Sequence, residues 1–126
     1  MKLTKPAIEM TLQETFDFVA NHLLRQGCRS VLVEKIESRT MTTCAYRGSE
    51  GRMCAVGCLI PDDLYDYDME YKGVQLLNEF SPLFRVDQMN LLSALQSKHD
   101  CDKMDLKNLQ EVAKDYKLSD KNLKAP

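Results

Sequence analysis

Apolar positions recur at helical spacing in several stretches of the chain and alternate with polar ones in two others. Leu12, Phe16, Val19, Ala20 and Leu23 form one stripe when wound at 3.6 residues per turn. Thr11 and Glu14 stand just ahead in the capping-box pattern, in which a hydroxyl and a carboxylate each satisfy an orphan amide. Gly27 supplies the left-handed residue that closes such a helix. The pattern predicts a helix over 12–26. Asp87 is placed to cap another, with Met89, Leu92, Leu95 and Gln96 on one face and an end near Asp100. Leu106, Leu109, Val112, Ala113 and Tyr116 define a last helix, and Val74–Phe80 reads as a short one that stops at Ser81-Pro82.

The alternating stretches predict strands. Ser30–Ile36 is rich in β-branched residues, Glu37–Thr40 is a polar loop, and Met41–Ile60 reads as a β-hairpin around Gly48–Gly51. A loop of three or five residues places Cys44, Tyr46, Cys54, Val56 and Cys58 together on one face, the one suited to a core. The fold expected is therefore α+β. A small antiparallel sheet centred on 41–60, with 30–36 as a candidate third strand, is covered by the N-terminal helix and two C-terminal helices. Residues 1–10 show no periodic apolar pattern and read as an extended arm, 11–118 as the single domain, and 119–126 as a flexible tail. Pro61–Tyr65 begins like a helical turn, and Asp66–Lys72 reads as irregular.

Composition narrows the functional classes. The chain has 126 residues, enough for one domain that buries roughly two-thirds of its unfolded surface without help from metal or disulfide. Seventeen basic and nineteen acidic residues give a net charge of −2, which argues against both a phosphate-backbone binder and an acidic DNA mimic. No apolar run approaches the ~20 residues that span a bilayer, and the N-terminal lysines are not followed by an apolar stretch. A cytoplasmic protein is expected. Five cysteines, at 28, 44, 54, 58 and 101, are then free thiols by default.

Candidate chemistry is sparse. Cys44, Cys54 and Cys58, with His99 and Cys101, are the only metal-like set, but zinc favours paired ligands on tight knuckles and only Cys54–Cys58 has that spacing. Core cysteines are the favoured reading; a Cys44–Cys54 redox pair across the hairpin is the alternative. A Cys–His nucleophile using His22 or His99 lacks a third, orienting group. No metal or cofactor is expected. Two surface groups remain. Asp62, Asp63, Asp66, Asp68 and Glu70 interleave with Tyr65, Tyr67 and Tyr71, either as a solvated loop over packed tyrosines or as a protein-binding loop. Tyr46, Arg47 and Arg52 lie on or beside the hairpin tip, where two arginines and two glycines suit a phosphate or carboxylate.

Cys44-x-Tyr46-Arg47, followed by Cys54-Ala-x-Gly57-x-Leu59-Ile60-Pro61-Asp62, a tyrosine and Met69-Glu70, resembles a family of small uncharacterised phage and prophage proteins. The resemblance extends to Gln13-Glu14-x-Phe16, Arg25-Gln26-Gly27, Leu91-Leu92-x-x-Leu95-Gln96-x-x-His99-Asp100 and Leu109-x-x-Val112-Ala113, covering about residues 11–118. The chain departs from it in the arm before Thr11 and in a longer passage from Cys28 to Cys44. The resemblance implies an accessory protein that binds a host protein in the host cytoplasm, redirecting it or blocking a defence system. Tyr65, Tyr67, Asp68, Glu70 and Tyr71 are the expected contacts. The alternative is a small-ligand or nucleotide-binding protein using Tyr46, Arg47 and Arg52, with an oligomer as one form it could take; a thiol-dependent enzyme is third. Membrane and nucleic-acid partners are not expected.

Overall fold

Thr11 opens the first helix as its sequence requires. In the computed structural model, which describes residues 5–27, 30–48, 51–71, 83–99 and 106–123, the Thr11 hydroxyl accepts from the Glu14 amide at 3.1 Å. The Glu14 carboxylate in turn accepts from the Thr11 amide at 3.0 Å, closing the capping box. The helix α1 runs Leu12–Gln26 and ends at Gly27, whose φ of 71° is the left-handed conformation that glycine adopts without strain. Its buried face carries Thr15, Phe16, Val19, Ala20, Leu23 and Leu24.

Two further helices complete the core. Helix α2 (Val86–His99) buries Gln88, Leu91, Leu92 and Leu95, and α3 (Leu106–Asp115) buries Leu109, Val112 and Ala113. α2 packs against both α1 and α3, so their apolar faces close on one another. Lys117 takes a left-handed turn after α3, and the Leu118 amide reaches back to the Ala113 carbonyl at 2.7 Å. The 74–80 helix expected from sequence lies outside the described residues.

The α+β expectation is corrected here: the described core is helical. No hairpin spans 41–60. Arg39–Cys44 (β2) pairs backwards with Val31–Ile36 (β1) through a two-residue turn at Glu37-Ser38, in register from Val31↔Cys44 to Ile36↔Arg39. The strand expected at 30–36 is present as β1, but it pairs only with the segment that follows it, and this local ribbon replaces the expected 41–60 hairpin. Of the ladder expected between 41–47 and 53–60, the described residues keep the single bridge Arg47↔Met53. The reason lies in the period of burial. Cys54, Ala55, Val56, Gly57, Cys58, Leu59 and Ile60 are all buried, whereas a strand with one core face would alternate. The segment folds instead as consecutive tight turns, with a 3-10 turn at Gly57–Leu59 packed on α1.

The two flanks are docked where described. Ala7–Glu9 forms a 3-10 turn, and Ala7 and Met10 are buried. Buried Gln88 donates to the carbonyls of Ala7 (2.5 Å) and Met10 (3.2 Å) and to the Thr15 hydroxyl (3.1 Å). Arg85 donates to the carbonyls of Ile8 and Met10, the latter at 2.7 Å. Residues 5–10 thus contribute to the core rather than trailing as an arm. At the other end, Ser119 exchanges two hydrogen bonds with the Gln13 side chain, at 2.8 and 2.9 Å. Asn122 bonds Asp17 at 2.9 Å, and Leu123 packs against the core.

Candidate functional site

The two surface groups singled out in the sequence converge on one network. The Glu70 carboxylate accepts from the Tyr46 amide at 2.8 Å, from the Arg47 amide at 3.0 Å and from the Tyr65 hydroxyl. The Arg47 guanidinium lies over the Tyr65 ring, 4.5 Å from its centroid. It also donates to the Ile60 carbonyl at 2.7 Å and pairs with Asp62 at 2.7 Å. One carboxylate, one guanidinium and one phenol therefore tie 46–47 to 60–70.

The tie depends on how each strand of the network is held from behind. Gly57 brings the turn so close to Tyr46 that an added Cβ would sit 1.9 Å from the Tyr46 carbonyl oxygen. The Gln26 side-chain amide is paired with Met53 in both directions, accepting from its amide at 2.8 Å and donating to its carbonyl at 2.9 Å. His22 Nε2 also contacts the Met53 carbonyl at 2.9 Å, and because a carbonyl only accepts, that nitrogen carries the proton. Burial lowers the His22 pKa, and the neighbouring Arg25 adds to it against the opposing hydrogen bond. Ser30 donates to the Arg52 carbonyl at 3.2 Å.

These contacts decide the chemistry. Arg47 donates to Ile60, pairs with Asp62 and lies over Tyr65, the Tyr46 and Arg47 amides are filled by Glu70, and the buried Arg47 Nε has no hydrogen-bond partner among the described residues. Arg52 enters the described network through its main-chain carbonyl, which accepts from Gly48 and Ser30. Burial pushes the Tyr46 and Tyr65 phenols up to about 12, with Glu70 adding to both. Burial, reinforced by Cys54, also pushes the Cys58 thiol well up. Its hydrogen goes to the Ala55 carbonyl at 3.3 Å, while Cys54 Sγ accepts from the Gly57 amide at 3.3 Å. Such thiols are poor nucleophiles. The Cys44–Cys54 pair lacks its basis, because Cys44 stands opposite Val31. Neither Cys54 nor Cys58 is in a disulfide. Among the described residues no three His, Cys, Asp or Glu are grouped to hold a metal; the side chains of Cys44 and His99, and Cys101 as a whole, lie outside them.

Of the expected contact residues, Tyr65 and Glu70 face inward into the network, and both are partly buried. Tyr67 is 50% exposed and Asp68 is exposed. Tyr71 ends the 3-10 turn Tyr67–Tyr71, and its side chain lies outside the described residues. Leu64 was not singled out by sequence reasoning, yet it is 47% exposed between acids, one residue from Tyr65. A leucine following Pro61-Asp62-Asp63 in a predicted turn was the available signal. No family model, curated protein or solved structure matches the chain. Among the described residues no helix is long and apolar enough to cross a membrane.

Proposed function

We propose that the protein acts by binding another protein through its 61–70 segment. The observation that carries this reading is the exposure of Leu64 and Tyr67 on a segment anchored by Tyr65, Glu70 and Arg47. Large apolar side chains presented on a pre-ordered backbone give contact area with little conformational entropy left to lose. In the phage setting that the sequence resemblance implies, the partner is a host protein. The small-ligand reading loses support because Arg47 already has its anion. The thiol-enzyme reading loses support because Cys58 is buried and its pKa is raised.

The test is capture of partners from host lysate by the tagged protein, set against a Leu64→Ala, Tyr67→Ala double variant. The variant should lose at least about tenfold in capture of any specific partner, as expected when interface anchors are truncated. Its melting temperature should stay close to that of the parent. Undiminished capture would place the interface elsewhere.

A further inference from the structure

The register of the β1–β2 ribbon fixes which backbone groups face away from it. The Ala45 amide donates to the Ser30 carbonyl at 3.0 Å, and these two residues are the next pair in the register that sets Val31 opposite Cys44. Bonded and non-bonded pairs alternate along an antiparallel ladder, so Thr43, Met41 and Arg39 turn their amides and carbonyls to β1. Thr40, Thr42 and Cys44 therefore direct theirs to the outer edge of β2. Among the described residues the sheet has these two strands alone, and no strand pairs with that outer row. Beyond Cys44 the backbone groups of Tyr46 are filled: its amide donates to Glu70 at 2.8 Å and its carbonyl accepts from Cys54 at 3.2 Å. Beyond Thr40 and Arg39 stands the turn at Glu37-Ser38. The open row thus runs from Thr40 to Cys44, and its stops at Ser38 and Tyr46 lie equally far from Thr42.

We infer that the outer edge of β2 pairs antiparallel with the same edge of a second copy of this chain, joining two ribbons into one sheet across a two-fold axis at Thr42. This contact is separate from the 61–70 surface and does not rest on it. Thr42 then stands opposite its own counterpart, and Thr40 opposite the counterpart of Cys44. All of these residues point their amides and carbonyls outward, so each pair exchanges both of its bonds. Because the two stops are equidistant from Thr42, the open rows of both copies end together, which is the self-matching patch an isologous contact needs. Charge agrees with this choice. Residues 40–44 carry none, so the pairing sets no like charges face to face. The outer row of β1 is Val31, Val33 and Lys35, and a lysine on an edge is a common guard against pairing. A lone two-stranded ribbon is also marginal in water, and each strand's main described contact is the other rather than a helix. A second ribbon supplies the strands that this one lacks.

Sedimentation equilibrium of the full-length protein under reducing conditions, over a range of concentrations, tests this. The mass should rise with concentration to twice the 14.5 kDa of one chain. Thr42→Lys and Thr42→Asp should each hold the mass at a single chain, because each sets like charges opposite one another across the axis. An equimolar mixture of the two should regain the doubled mass, which variants that had failed to fold would not do. The Leu64→Ala, Tyr67→Ala variant should keep the doubled mass, since its surface lies elsewhere. A parent that stays at single-chain mass throughout would overturn the inference, and so would a dimer that survives Thr42→Lys. A mixture that stays at single-chain mass would remove Thr42 from the axis, and a dimer lost with Val33→Lys but not with Thr42→Lys would move the contact to β1; each of these also overturns it.

Discussion

In α1 the backbone is satisfied locally: each turn of helix supplies the carbonyls for the next, and Thr11, Glu14 and Gly27 close the two ends. In the 45–60 segment the turns at 54–60 close on themselves, but the stretch ahead of them is tied down from a distance. Gln26 and His22 hold Met53 from 27 and 31 residues away, Ser30 holds Arg52 from 22, and Glu70 holds the Tyr46 and Arg47 amides from 24 and 23. Both regions bury apolar side chains equally well. The difference is that the first could form its hydrogen bonds as an isolated turn of chain, whereas the second acquires its ties at 46–53 only once the rest of the fold is in place.

Phe16→Ala should give the largest effect. Phe16 is 0% exposed at the centre of the α1 face, and truncating such a ring costs about 3–5 kcal/mol. A chemical-denaturation midpoint close to the parent's would show that α1 is not the frame on which the other region is assembled. Gly57→Ala should follow, at about 2–3 kcal/mol, because the methyl group meets backbone rather than a side chain that can swing aside. A parent-like midpoint would mean that the turn can move away from Tyr46, and that the distant contacts do not fix its position.

Gln26→Ala sharpens the comparison more narrowly. It removes both bonds to Met53 from a residue at the very end of α1, and should cost about 1–2 kcal/mol. Amide exchange should speed up in 45–60 and stay slow in the middle of α1. Equal acceleration in both would show them to be one cooperative unit.

The smallest effect is alkaline. Cys58 ionises near 9.0 and Tyr46 and Tyr65 near 10.0 in an unfolded chain, and the fold raises all three, the tyrosines to about 12. A raised native pKa contributes stability that is complete below the unfolded value and is lost as pH rises through the native one. The melting temperature should therefore fall as pH rises past about 9 to 10. α1 contains neither cysteine nor tyrosine, so the loss should begin outside it. Tyr65→Phe should flatten the decline; an unchanged slope would assign it elsewhere.

The same contrast explains what could be read in advance. The bounds of α1 follow from Thr11, Glu14 and Gly27 because each acts on its immediate neighbours. Leu109, Val112 and Ala113 are likewise legible, since a helical face is a local pattern. The run Cys54–Ile60 misled because a continuous apolar stretch fits a strand and a buried turn equally well. Gly57 was the residue that distinguished them, through a backbone approach visible only in three dimensions. At the candidate site, residue types were legible and their assignments were not. Tyr46, Arg47, Tyr65 and Glu70 all stood out, but nothing local indicates that Arg47 and Glu70 are spent on the protein itself. Nor does any local signal mark Gln88, a polar residue on an otherwise apolar face, as the clasp for Ala7 and Met10.

Glu70 also gives the molecule a built-in reporter. The Tyr46 and Arg47 amides owe their described protection to a side chain, not to a ladder or helix, so their proton exchange with solvent measures how often that carboxylate lets go. Two resonances in a nuclear magnetic resonance spectrum can therefore follow the closure of a chain loop more than twenty residues long, in real time and without any label beyond nitrogen-15.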